Sequence, residues 1–129
     1  LSDRTRAPHA VVTGASGYLG RHLVSALEAH GWRVTRCLRD ARGGPNAVSV
    51  PDLDDRSLAA IPWPADTVFH LAGLAHRFPP SVPSEAEFER VNAHGSGAVA
   101  HAAKGRARRF VFASSIAAID RKSTRLNSS

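Results

Sequence analysis

Short apolar runs alternate with helix-patterned segments along the chain. Five of these runs have the length and composition of buried strands, because each is bounded by Gly, Pro or charged residues. They are residues 9–13, 33–38, 47–50, 66–71 and 109–114. Helix-patterned segments follow at 17–30, at 54–60 and at 84–104. This alternation predicts an α/β fold with a parallel sheet and right-handed crossovers.

Three glycines recur at every third position directly after the first predicted strand. Gly14 is predicted to permit a sharp turn at the strand end, because glycine also tolerates a positive φ. Gly17 lets the backbone approach a pyrophosphate, and Gly20 lets the helix pack closely on the strand. The helix amides then face the phosphates. The spacing predicts a dinucleotide-binding turn in a Rossmann-type doubly wound sheet of order 3-2-1-4-5; a plain tight turn is the alternative.

Composition narrows the function classes. A chain of 129 residues with 43% hydrophobic content fits one domain. No apolar run approaches the roughly 20 residues of a membrane span. The single Cys37 excludes an intramolecular disulfide and favours a cytoplasmic location. The net charge of +6 comes from scattered residues without interleaved aromatics, so no nucleic-acid partner is expected. No set of ligands has metal-binding spacing.

The two ends of the chain differ from its body. Residues 1–8 are polar and are expected to fray. Residues 9–119 are predicted to form a nucleotide-binding domain that is incomplete after about five strands. Residues 120–129 break an apolar run and match the translation of a sequencing-library adapter, so we predict an artefactual tail; a natural basic tail is the alternative.

The end of the second predicted strand carries the cofactor preference. An acidic residue there accepts hydrogen bonds from the adenosine ribose, whereas a basic residue neutralises a 2′-phosphate. Leu38 occupies the usual acidic position and Arg39 follows it. The sequence therefore favours NADP over NAD. Asp40 lies one residue further on, and a register shifted by one residue would reverse this preference.

Residues 13–20 resemble the T-G-x-x-G-x-x-G loop of the extended short-chain dehydrogenases/reductases. Four later segments resemble the same family in the same order. They are Asp52-Leu53, residues 68–75, Val91-Asn92 and residues 110–115. Within that family the chain is most similar to NAD-dependent epimerases/dehydratases of the UDP-glucose 4-epimerase type. It departs from that type at Leu38, where an acidic residue is usual, and at Ala75, where a lysine is usual.

The resemblance implies a set of cofactor contacts. The amides of Tyr18 and Leu19 would hold the pyrophosphate, and the Asp52 carboxylate would accept from the adenine amino group. Residues 71–73 would run beneath the nicotinamide ribose, and Asn92 would tie its helix to the fourth strand. Together with Arg39, predicted from its place after the second strand, the predicted cofactor-binding residues are Gly14, Ser16, Gly17, Tyr18, Leu19, Gly20, Arg39, Asp52, Leu53, Leu71, Ala72, Gly73 and Asn92.

The resemblance also implies an activity, which is hydride transfer at a hydroxyl or ketone of a nucleotide sugar. Ser115 would hydrogen-bond the substrate oxygen; a polar strand end is the alternative reading. The family's proton-transfer pair, Tyr-x-x-x-Lys, would lie beyond Ser115, and the chain's single tyrosine is Tyr18. We therefore expect no turnover from this chain alone.

Two other functions stay open at this point. One is an NADPH-dependent ketone reductase of the same superfamily, and the other is a non-catalytic NADP-binding sensor or interaction module. A homodimer is one option for the whole protein. His70 is predicted to be a hydrogen-bonded core imidazole, and the fifth strand is expected to lie at an exposed sheet edge.

Overall fold

A computed structural model of the chain describes residues 6–40, 44, 46–51, 53–71 and 95–113. Its strands are β1 (His9–Thr13), β2 (Arg33–Leu38), β3 (Ala47–Ser49), β4 (Ala65–His70) and β5 (Ala107–Phe112). Its helices are α1 (Tyr18–Ala29), α2 (Asp55–Ala59) and α3 (Gly95–Ala103). The strands form one parallel sheet of order β3-β2-β1-β4-β5. The predicted α/β, Rossmann-type sheet and its strand order are confirmed.

β1 lies at the centre of the sheet, and all of its residues are buried. Its side chains alternate between the two faces, so each face needs its own apolar cover. Val11 packs with Val68 and with residues of α2 and α3 on one face. Val12 packs with Leu27 of α1 on the other face. The unbroken apolar run in β1 therefore follows from helices on both faces.

The predicted helix ends are confirmed at two positions. α1 is followed by Gly31 at φ +86°, where the amide of Gly31 donates to the carbonyl of Glu28 at 3.0 Å. A glycine suits this position because a side chain disfavours positive φ. α2 begins after Asp54, whose carboxylate accepts from the amide of Ser57 at 2.8 Å. That hydrogen bond lowers the pKa of Asp54.

The predicted bounds of the last two strands are shifted. β4 begins one residue early because the amide of Ala65 donates to the carbonyl of Arg106 at 2.9 Å. It ends one residue early because β1 ends at Thr13, which pairs with His70, and the amide of Leu71 makes the last bond of that ladder, to the carbonyl of Thr13 at 3.2 Å. β5 begins two residues early because Ala107 pairs with Ala65. The predicted helix over 84–104 is described only as α3, and its earlier part lies outside the described residues.

β5 forms one edge of the sheet and, among the described residues, pairs only with β4. Three of its apolar side chains are partly open to solvent: Phe110 is 37% exposed, Val111 43% and Phe112 52%. Because a parallel sheet normally buries both faces, these exposures mark β5 as a strand that no described element covers fully. The expected exposed edge is confirmed.

We predict that the thiol of Cys37 is unreactive in the folded protein. Cys37 is 1% exposed in β2, and burial raises the pKa of its thiol to about 12. Since the thiolate is the reactive form, dithiobis(nitrobenzoate) should modify the native chain at least about 100-fold more slowly than the chain unfolded in guanidinium chloride. The chain has a single cysteine, so the signal reports on this residue alone. Equal rates in the two states would contradict the prediction.

Candidate functional site

The glycine turn lies between β1 and α1, at the carboxyl edge of the sheet. The strand order reverses direction between β1 and β4, and open α/β sheets bind their ligands at such a switch point. Thr13, the last residue of β1, is paired with Cys37 on one side and with His70 on the other. Arg39 and Leu71, which follow these strands, therefore lie at the same edge as the turn.

Two glycines of the turn are required by the protein's own structure. Gly14 has φ +68°, a conformation that side chains disfavour. A Cβ on Gly20 would overlap the carbonyl oxygen of Gly14 and lie 2.8 Å from the Cα of Ala15. α1 can therefore approach the end of β1 this closely only with glycine at both positions.

At the third glycine, Gly17, neither the backbone conformation nor the packing requires a glycine. Its φ of −73° and ψ of 172° are open to any residue. A Cβ there would lie 3.4 Å from the carbonyl oxygen of Gly14, which is an ordinary contact. Gly17 is also exposed. The absence of a side chain at this position leaves the start of α1 open to close approach by a ligand.

The first amides of α1 are available to an anion. Gly17 is the N-cap and supplies no side-chain acceptor, and the first turn contains no acidic residue. The intrahelical bonds begin with the amide of Arg21, which donates to the carbonyl of Gly17 at 2.9 Å. The preceding helical amides therefore point out of the helix, at its positive dipole end. Ser16, Tyr18 and Leu19 are exposed around them.

Arg39 is the first charged side chain after β2, and it is exposed. Its carbonyl accepts from the Ser49 hydroxyl at 3.3 Å, which ties the end of β2 to the end of β3. Leu38 is half-buried and packs against the core on the α1 face. The structure thus places a guanidinium, followed by the exposed carboxylate of Asp40, at the carboxyl end of β2.

The other predicted cofactor residues have different placements. Leu53 has φ +51° and is buried, and its Cδ1 lies 3.0 Å from the position that a Cβ on Gly95 would take, so it packs under the start of α3. Leu71 is half-buried beside the α1-face core. Five predicted site residues lie outside the described residues: Asp52, Ala72, Gly73, Asn92 and Ser115.

A hydrogen-bonded set of side chains at this edge was not predicted from the sequence as a unit. His70 Nδ1 lies 2.7 Å from Thr13 Oγ1, and His70 Nε2 lies 3.1 Å from Ser96 Oγ. Thr13 Oγ1 also accepts from the amide of Leu71 at 3.1 Å. His70 is buried, and its desolvation lowers its pKa. The predicted core imidazole is confirmed, and the available signal was a polar residue ending each of two apolar strands.

The described part of the chain contains neither a metal-binding cluster nor a membrane-spanning helix. It contains no group of three or more His, Cys, Asp or Glu side chains arranged to hold a metal ion. None of its helices combines the length and apolar character needed to cross a membrane.

Comparison with known proteins agrees with this geometry. The model of a family described as the NAD dependent epimerase/dehydratase family matches residues 10–127. The ceramide reductase of Caulobacter vibrioides (strain NA1000 / CB15N) is 37% identical over 114 residues, which cover 83% of this chain and 34% of that protein.

Two solved structures show the same fold. One is a short-chain dehydrogenase/reductase superfamily protein from Agrobacterium tumefaciens, solved with bound NAD, with a TM-score of 0.70 and 30% sequence identity. The match covers 83% of this chain and 32% of that protein. The other is MoeE5, solved with UDP-glucose and NAD, with a TM-score of 0.70 and 32% sequence identity. The match covers 84% of this chain and 36% of MoeE5. The chain spans about a third of the length of these relatives.

We predict that Gly20→Ala destabilises the protein by at least about 2 kcal/mol, because its Cβ meets backbone atoms that cannot move without displacing α1. Gly97→Ala on α3 is the matched control. A Cβ there meets nothing within 4 Å, so alanine should stabilise the helix by up to about 1 kcal/mol. Urea unfolding followed by circular dichroism measures both. Equal stability of the two variants would contradict the tight contact.

Proposed function

Because the chain belongs to the NAD-dependent epimerase/dehydratase family, we propose that it is the cofactor-binding part of an enzyme acting on nucleotide sugars. The proposed reaction moves a hydride between a nicotinamide dinucleotide and a hydroxyl or ketone of the sugar. The family resemblance seen in the sequence is confirmed, and MoeE5, a structural relative, binds UDP-glucose together with NAD. Since the chain spans about a third of its relatives, the activity and the substrate are proposed for the whole protein.

The observation that carries the proposal is the contrast among the three glycines of the turn. Backbone conformation demands Gly14, and packing demands Gly20, but neither demands Gly17. A glycine at the exposed helix start is accounted for by a ligand that must come close to the backbone there. A pyrophosphate fits, because it is anionic and can accept from several helix amides at once.

The residues present fit a nicotinamide dinucleotide. The turn would hold the pyrophosphate through the amides of Tyr18 and Leu19, and Arg39 would lie beside the adenosine ribose. When bound, the nicotinamide supplies the hydride-accepting and hydride-donating chemistry. The roles of Ser16, Leu53 and Leu71 in the same site stay predictions. So do those of Asp52, Ala72, Gly73 and Asn92.

The chemical step needs a group that polarises the substrate oxygen and a group that moves its proton. Ser115, which follows β5 by three residues in the sequence, is the proposed hydrogen-bond partner of that oxygen. The proton-transfer pair is assigned to a Tyr-x-x-x-Lys motif in the remainder of the protein, because members of this superfamily use a tyrosine whose pKa a neighbouring lysine lowers. A fragment limited to residues 1–129 is therefore proposed to bind the cofactor without turnover.

A second candidate function is a one-way NADPH-dependent ketone reductase. Two observations favour it. Arg39 is exposed directly after β2, where a guanidinium neutralises a 2′-phosphate. One relative, 37% identical over 114 residues, is a ceramide reductase. Under this alternative the substrate is a ketone that is reduced once. Under the first proposal the substrate is a sugar that stays attached to its nucleotide.

We predict that the chain binds NADH or NADPH, and that Gly17→Ala raises the dissociation constant about tenfold or more while leaving the fold intact, because the new methyl group blocks close approach to the helix amides. Isothermal titration calorimetry measures the affinity, and the melting temperature reports the fold. Gly97→Ala is the control, since it adds the same methyl group on another helix, where nothing lies within 4 Å of it. Unchanged affinity in Gly17→Ala would remove the central support for the proposal.

We further predict that Arg39→Ala weakens NADPH binding by about tenfold and leaves NADH binding within about twofold of the wild type, because only the phosphorylated ribose needs the guanidinium. Arg33→Ala is the matched control: Arg33 is exposed on the same strand, but at its amino end. Competition titrations with the two reduced nucleotides give the ratio. Equal weakening of both nucleotides would place Arg39 outside the ribose site.

A further inference from the structure

Two buried histidine–threonine pairs lie toward opposite ends of the strands of the sheet. At the amino edge, His9 Nε2 lies 2.7 Å from Thr35 Oγ1, and His9 Nδ1–H donates to the carbonyl of Pro64 at 2.9 Å. At the carboxyl edge, His70 Nδ1 lies 2.7 Å from Thr13 Oγ1. All four side chains of the two pairs are buried. The pairs are closely matched in chemistry, but only the second adjoins the glycine turn.

His70 contacts the ends of several elements at once. It is the last residue of β4 and bonds to Thr13, the last residue of β1. Its other nitrogen bonds to Ser96 in the first turn of α3 at 3.1 Å. Its ring centroid lies 6.2 Å from that of Phe110 and 5.6 Å from that of Phe112, both on β5. One side chain thus joins three strand ends and a helix start.

We propose that His70 is a positioning residue for cofactor binding, because it is held between Thr13 Oγ1 and Ser96 Oγ and so fixes the strand end from which the glycine turn departs. Gly14 follows Thr13 directly, so a shift of Thr13 is passed to the turn. The amide of Leu71 donates to the same hydroxyl at 3.1 Å, which fixes the exit of β4 as well. The inference rests on the proposed function, since it assumes that the turn holds NAD(P).

The chemistry of the imidazole suits this role. A neutral imidazole has one donor and one acceptor nitrogen, and a hydroxyl can complete either kind of bond. His70 is 1% exposed, and its desolvation favours the neutral form by lowering its pKa. A buried side chain with both nitrogens bonded has a defined orientation. Binding residues whose neighbours are fixed by hydrogen bonds keep their positions more precisely than residues supported by packing alone.

The test compares Thr13→Val with Thr35→Val. Each variant removes one buried hydroxyl that pairs with a histidine at 2.7 Å, so both should lower the melting temperature to a similar extent. Only Thr13→Val should raise the dissociation constant for the better-bound reduced nucleotide, by about fivefold to tenfold, which corresponds to one neutral hydrogen bond. Thr13→Ser keeps the hydroxyl and should restore the affinity to within about twofold of the wild type.

A double-mutant cycle tests whether Thr13 acts through His70. His70→Phe keeps a planar ring beside Phe110 and Phe112 but removes both nitrogens. It should weaken nucleotide binding as Thr13→Val does, and the Thr13→Val/His70→Phe double variant should bind no more weakly than His70→Phe alone. Ser96→Ala, which cuts the other end of the chain of hydrogen bonds, should raise the dissociation constant in the same direction.

Three outcomes would overturn the inference, and they are distinguishable. If the wild type binds the nucleotide and Thr13→Val binds it as tightly as Thr35→Val, the histidine has only a structural role and the positioning inference fails alone. If the wild type binds neither NADH nor NADPH, the proposed function fails and the inference fails with it. Fully additive losses in the double variant would also overturn the coupling between Thr13 and His70.

Discussion

The contact between Gly20 of α1 and the carbonyl of Gly14 sets the distance between the helix start and the end of β1. With any side chain at Gly20, α1 would have to move outward, because a Cβ overlaps that carbonyl oxygen. The apolar face of α1 would then lose its fit to β1, where Leu27 packs with Val12. The helix amides would also leave the sheet edge. One close approach therefore determines both the core on this face and the position of the glycine turn.

The buried polar side chains of the sheet are hydrogen-bonded rather than merely enclosed. In the described part of the chain, no buried side-chain nitrogen or oxygen lacks a partner. This matters because an unpaired buried donor or acceptor costs about 1–3 kcal/mol. His9 and His70 each satisfy both ring nitrogens, and each joins β1 to an adjacent strand or loop. These side-chain bonds therefore stabilise the parallel sheet at the amino and carboxyl ends of its strands, in addition to the backbone hydrogen bonds between the strands.

The sequence predicted the features that depend on local spacing. Three such features are the apolar run of β1, the three glycines and the helix cap at Asp54. Each depends on residues only a few positions apart in the sequence. The bounds of β4 and β5 were wrong by one or two residues because partners far along the chain set them, as when Ala65 pairs with Ala107. The bond between His70 and Ser96 joins residues 26 apart, and no spacing rule selects that partner.

The same long-range bonds bear on how the proposed site would work. The glycine turn and Arg39 lie on the β1–β2 side of the sheet, whereas Leu71 and the exposed β5 lie on the β4–β5 side. The two sides meet at the switch point, where Thr13 is paired with His70 and accepts the amide of Leu71. A dinucleotide spans such a switch point. On the proposed function, the phosphate contacts and the nicotinamide contacts are kept at a fixed separation by that one pair of strand ends.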